Sequence, residues 1–350
     1  MNFQPKTRML NNVMTKARFA LAVVLLGGTL DAAAAGNEPA NQQIVSHEYL
    51  KPAGSRTFAV EYVGKVSGVP EGARKLRVWM PVPQDSTVQT VRLLSFSRPP
   101  RLRTEAKYGN KIAYWEIDEP QATTELTMKF VCARREVVMD LDRLAADEKD
   151  GETQFAVFRK ADKLVLVDNA MRKLSAEITF GKMTTLEKAR AIYDYVLAKM
   201  TYDKNHAGWG LGSTRHACDV GKGNCTDFHA LFNSLCRAQG IASGFEIGLY
   251  LPYSKGTNEP LGGYHCWAFF RVPGKTWVPV DCSEADRFAE RREFFFGAHT
   301  SNRVTLSTGR DIVLEPPQAG EPLNYFLNPY AEADDKPAKT EKTWSFRDAD

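Results

Sequence analysis

Three residues define the chemistry open to this sequence: Cys225, His265 and Asp281. Cys225 stands where the loop Gly221-Lys222-Gly223-Asn224 gives way to an apolar run at helical spacing. A thiol there meets the unpaired N–H groups and the positive dipole end of a helix start, both of which favour thiolate. A thiolate nucleophile needs a base, and the base needs an orienting group. The segment Val272-Pro273-Gly274 reads as a three-residue hairpin loop with Gly274 at positive φ. Closing it there pairs Arg271 with Lys275 and sets His265 directly opposite Asp281, on one face and within about 5.5 Å at Cβ. A two-residue loop would shift the register by one and part them. Taken singly, a cysteine at a helix start and a strand histidine are ordinary structural residues. The order Cys helix, His strand, Asp strand is what makes the combination specific.

The neighbours of these three have competing readings. Asn224 is the expected N-cap of the Cys225 helix, and Asp227 in its first turn has a structural role. His229, four residues after Cys225 on the same helix face, is either a rival partner for the thiol or a satisfied buried histidine. Cys266 and Cys282 are expected on the face opposite His265 and Asp281, as two small buried thiols or as a strained disulfide. Cys236 reads as core. A zinc site from Cys218, Cys225, His216 and His229 has no recognised ligand spacing. Trp267 is a wall of the cleft or plain core.

Elements of two kinds must position these groups. From Thr57 to about Val138 apolar residues alternate (Phe58, Val60, Tyr62; Leu76, Val78, Met80; Leu126, Met128, Phe130, Cys132), which predicts a small β-sandwich over 55–140. Segment 140–152 is expected to be a linker or short helical crossover. The period then changes. Thr184-x-x-Glu187 is a capping box that opens a helix over 185–200, a further helix is expected near 168–178, and another from Cys225 to Gln239 with Gly240 as its stop. Strands are expected at 241–251, 264–272 and 275–282. The last segment, 331–350, rich in Asp, Lys and Ala, is expected to be a loose tail.

The 350 residues are 43% hydrophobic, 11% aromatic and 25% charged, enough for about two domains. The formal charge of +4 is concentrated in the first 35 residues. These read as a signal peptide: Lys16 and Arg18, an apolar run from Phe19 to Leu26, and an A-x-A site at Ala33 and Ala35. Cleavage after Ala35 leaves an exported, near-neutral protein with no membrane span and no reason to bind nucleic acid. An uncleaved anchor is the other reading, and Met14 is an alternative start. Six cysteines without a C-x-x-C pair disfavour a thiol redox protein. No calcium-loop pattern occurs, so neither metal nor cofactor is expected.

The stretch Gly223-Asn224-Cys225-Thr226-Asp227-Phe228, with Arg237-Ala238-Gln239-Gly240-Ile241, resembles the nucleophile helix of the transglutaminase-like superfamily. Gly263-Tyr264-His265-Cys266-Trp267 and Trp277-Val278-Pro279-Val280-Asp281 resemble its histidine and aspartate strands. His229 and Cys282 depart from the small residues usual at their positions. The resemblance covers about 155–330 and implies an α+β, papain-like fold with Cys225 as nucleophile, His265 as base and acid, and Asp281 as orienter. By the same resemblance Trp209 is a candidate oxyanion donor beside the Cys225 backbone N–H, and the β domain is similar to the N-terminal module of bacterial members. The implied activity is cysteine-dependent acyl transfer or hydrolysis on peptide, protein or cell-wall-derived amides, with hydrolysis ranked first. The alternative is a non-catalytic binding or assembly module on the same scaffold.

Overall fold

Long-range pairing, more than local propensity, sets the architecture, a mixed α/β arrangement dominated by antiparallel sheets. The computed structural model describes residues 45–145, 155–253 and 263–349. The expected signal peptide and most of the expected 140–152 linker lie outside them, although Leu141–Ala145 forms one short helix.

Two antiparallel sheets share a core. One runs in the order Lys339–Asp348, Ser55–Ser67, Thr123–Arg135, Gln89–Phe96. The other runs Lys336–Pro337, Tyr330–Ala333, Lys75–Val82, Lys111–Asp118, Arg101–Thr104. Their inward residues, among them Phe58, Tyr62, Met128, Phe130, Val78, Met80 and Trp115, form one buried cluster. Alternation of burial along Ser55–Ser67 and Thr123–Arg135 is the period-2 signature of half-buried strands.

The expected loose tail is overturned. Lys339–Asp348 pairs along the whole of Phe58–Ser67 and buries Trp344 and Phe346 in the shared core. Only two large apolar residues anchor this strand among Lys, Glu and Thr, so its composition reads as solvated while its pairing, nearly 300 residues away in sequence, fixes it. Phe346→Leu is therefore expected to lower stability by about 1–2 kcal/mol in urea unfolding; an unchanged midpoint would leave the strand without energetic weight.

A third antiparallel sheet, ordered Thr276–Val280, His265–Val272, Ser243–Tyr250, Arg303–Thr308, carries the candidate site. Phe245 opposes Ala268 and Ile247 opposes Cys266, so these four share a face. Helices Asn169–Ile178, Thr185–Lys199 and Cys225–Ala238 accompany the sheet, and Phe228, Phe232 and Leu235 pack with Ala268 and Phe270. Both capping boxes form, at Thr184/Glu187 and at Asn224/Asp227, and Gly240 terminates the second helix region at φ 75°. Phe245, Ile247, Leu249, Val304 and Leu306 belong to the same cluster as the two β sheets. The described residues thus form one compact unit whose cores are continuous across the expected boundary near residue 150.

Candidate active site

The site starts at the capped end of Cys225–Ala238. Asn224 caps the helix through its side chain, accepting the Thr226 N–H at 2.8 Å. Asp227, fully buried, accepts the N–H groups of Asn224 (3.0 Å), Gly210 (2.7 Å) and Gly212 (2.9 Å). This carboxylate ties the Gly-rich loop to the helix start beside Cys225. At Gly223 a Cβ would collide with the Asp227 side chain, and at Gly212 it would meet Arg310 and Thr226 at 2.7 Å with φ at 66°. Asp227→Ala orphans three N–H donors and is expected to cost about 2–4 kcal/mol, read as a fall in melting temperature; a change within error would mean that water replaces the carboxylate.

His265 is the first residue of its strand, with Tyr250 and Trp267 each 5.9 Å away between ring centroids. The expected register is corrected by two residues: Val272 pairs with Thr276 and Ala268 with Val280. The loop is Pro273-Gly274-Lys275 with Gly274 at φ 68°. Proline's fixed φ suits the first loop position, and that preference moves the turn one residue along from the expected one. A shift of two keeps facing parity. The strand ends at Val280, and Asp281 becomes the N-cap of the helix Cys282–Arg287. From there its Oδ2 accepts the His265 Nε2–H at 2.7 Å, which leaves Nδ1 for the thiol.

The electrostatics follow from this packing. Burial alone would raise the Cys225 thiol, but hydrogen bonds from Cys266 and His265 and the charge of His265 hold it well below the usual thiol range. Burial would lower His265, yet the Asp281 charge and hydrogen bond, with those of Cys225, push it up to about 10. Burial would raise Asp281; His265 and Arg303 keep it well below the usual carboxylate range. These directions together favour a thiolate–imidazolium pair oriented by a carboxylate.

Several neighbours have roles that the sequence left open or missed. His229 accepts the Cys282 N–H at Nε2 (3.1 Å), and its Nδ1 lies 3.6 Å from Cys266 Sγ. Burial depresses it to about 4, so it is a neutral, satisfied core histidine. Cys266 lies against the Cys225 thiol and Thr226. Its own thiol is pushed well up by burial and by Cys225, so it stays protonated and donates. All six cysteines are free, which removes the Cys266–Cys282 bridge. Arg303, fully buried, donates to Asp281 Oδ2 (3.0 Å), Glu284 (3.4 Å) and Thr300 (3.1 Å), and lies 4.8 Å from the Trp267 ring. Trp267 is fully buried between Arg303 and Arg134, with Glu246 accepting its indole N–H. No local motif marks Arg303; its one signal is a cation inside an otherwise apolar and hydroxylic strand.

Trp209 is 39% exposed and carries Lys204 over its ring at 5.6 Å. It lies on the loop that Asp227 anchors. Cys218, Cys225, His216 and His229 do not converge: His216 pairs with His206 at 3.1 Å, while His229 faces Cys282 and Cys266. Among the described residues, only His265, Asp281 and Glu284 bring ligand atoms within 4.8 Å of one another, and the Arg303 guanidinium already occupies the charge position between the two carboxylates.

A buried, activated thiol facing a His–Asp pair defines a cysteine-enzyme class of site. Residues 172–282 match the model of the transglutaminase-like superfamily, and Cys225, His265 and Asp281 all lie within the matched stretch. A Haemophilus influenzae protein of uncharacterised function is 28% identical over 77% of this chain and 84% of its own length. A crystal structure of a candidate cysteine protease from Cytophaga hutchinsonii shares the fold (TM-score 0.58, 14% identity), covering 85% of this chain and 92% of that one. The periplasmic domain of TgpA from Pseudomonas aeruginosa aligns at TM-score 0.36 and 14% identity over 68% of this chain and 90% of that one. No described helix is long and apolar enough to cross a membrane.

Proposed function

We propose that this protein is an exported cysteine hydrolase or acyltransferase acting on peptide or carboxamide substrates, with hydrolysis the favoured outcome. The observation that carries it is the Asp281–His265 bond of 2.7 Å beside a Cys225 thiol held well below its ordinary pKa. The Cys225–Ala238 helix serves as the nucleophile helix of a papain-like domain, with the β-sandwich beside it.

In the proposed cycle the Cys225 thiolate attacks the amide carbonyl, forming the C–S bond and an oxyanion. The Cys225 backbone N–H, at the open helix start, stabilises that oxyanion, and Trp209 is the candidate second donor. His265 gives its proton to the departing nitrogen as the C–N bond breaks, leaving a thioester. Neutral His265 then takes a proton from water or an amine as that nucleophile attacks, and the C–S bond breaks to regenerate the thiolate. Hydrolysis and amine transfer differ only in the second nucleophile.

The reactive ion pair exists between the depressed Cys225 titration and the raised one of His265 near 10. Iodoacetamide is therefore expected to modify Cys225 selectively well below pH 8, with an alkaline change near pH 10 that His265→Ala removes. Uniform slow labelling with an ordinary midpoint of about 8.5 would sink the catalytic reading and favour the binding-module alternative.

A further inference from the structure

Tyr202 bridges the two elements that present the site. Its N–H donates to Asp286 Oδ2 at 2.9 Å, on the helix that Asp281 caps. Its backbone pairs with Gly223, two residues before Cys225, and the neighbouring Asp203 N–H donates to the Gly223 carbonyl at 3.0 Å. Two cations gather on its ring: Lys204 Nζ at 5.5 Å and the Arg287 guanidinium at 5.1 Å from the centroid. Each also covers a second aromatic, Lys204 over Trp209 at 5.6 Å and Arg287 over Phe288 at 5.4 Å. Trp209 and Phe288 are 39% and 36% exposed, so this cluster faces solvent.

The cations lack carboxylate partners among the described residues, and the nearby acids are engaged. Asp203 pairs with Lys222 at 3.3 Å and accepts the Asn205 N–H at 2.7 Å, while Asp286 holds the Tyr202 N–H. Two like charges brought to one ring repel each other, and an incoming anion relieves that repulsion. A cation resting on an aromatic face keeps its N–H donors for such a partner, and the arginine fork matches a carboxylate in two-point geometry.

We propose that Lys204 and Arg287, seated on Tyr202, form a carboxylate-binding rim beside Cys225 that selects amide substrates carrying a carboxylate close to the scissile carbonyl. The inference rests on Cys225 being the nucleophile. The shared chemistry is a carboxylate, supplied either by an acidic side chain or by a chain terminus.

The deciding experiment compares alkylation of Cys225 by anionic iodoacetate and by neutral iodoacetamide at low ionic strength. The ratio of the two rate constants is read in the wild type and in the Lys204→Met/Arg287→Met double variant, both residues being exposed. The ratio is expected to fall about tenfold in the variant, the effect of two partly screened charges near the sulfur, and to fall likewise in the wild type as salt rises. A ratio that the double substitution leaves unchanged overturns the rim. Failure of the catalytic reading looks different, appearing as an iodoacetamide rate with the pH midpoint of a free thiol in the wild type itself. Protection against iodoacetamide by acetyl-glutamate α-amide points to a side-chain carboxylate, and protection by acetyl-glutamine with a free terminus points to a chain end. Equal protection by these and by neutral acetyl-glutamine amide counts against the rim.

Discussion

Cys225→Ala is expected to lower turnover of a peptide amide by about 10⁴-fold or more while leaving the melting temperature within a few degrees of the wild type. In the proposed cycle the thiol supplies the bond-forming atom, and the described neighbours do not replace it: Cys266 is held protonated by burial and by Cys225 itself, and His229 is neutral and bonded on both sides. His265→Ala should be comparably severe, because it removes both the partner that sustains the thiolate and the proton donor for the departing nitrogen. The two losses are expected not to add, since the double variant lacks one unit rather than two. Ammonia release from a glutamine-containing peptide, or amine release from a peptide amide, measures this directly. Loss of only tenfold for Cys225→Ala would transfer the chemistry elsewhere and end the nucleophile assignment.

Arg303→Met is expected to destabilise the fold by about 3–5 kcal/mol at neutral pH, the usual cost of leaving buried charge without its partner. Both Asp281 and Glu284 lose their guanidinium, and each is almost wholly buried. The pH dependence has a definite sign. Asp281 is depressed in the folded protein, so its pairing contributes stability above the ordinary carboxylate range of about 4 and loses it as pH falls further. The penalty of the substitution should therefore hold from pH 7 to about 4 and shrink as pH falls below that in urea titrations. Arg303→Lys keeps the charge but cannot hold Asp281, Glu284 and Thr300 together, and should fall between. A flat pH response would mean that Arg303 acts by packing on Trp267 instead.

The legible parts of this protein were those decided within a few residues of chain. Thr184 and Glu187 announce one helix and Asn224 and Asp227 another, because capping is a local hydrogen-bond exchange. Alternation through Phe58–Tyr62 and Leu126–Cys132 marks strands because one face is buried. Even the meeting of His265 with Asp281 was readable, since facing parity survives the two-residue slip of the hairpin. Everything set by contacts distant in sequence was hidden. Lys339–Asp348 looked like a solvated tail because its partner lies near the other end of the chain. Arg303 and Tyr202 carry no motif, and the motif around His265 assigns Cys266 no role; Arg303 matters only because a separate strand brings it to Asp281, and Cys266 because its face of the strand abuts the start of the Cys225 helix. The sequence alone determined which side chains can react. The tertiary structure decided their charges, because only burial and assembled neighbours make a cysteine a thiolate and keep a histidine protonated.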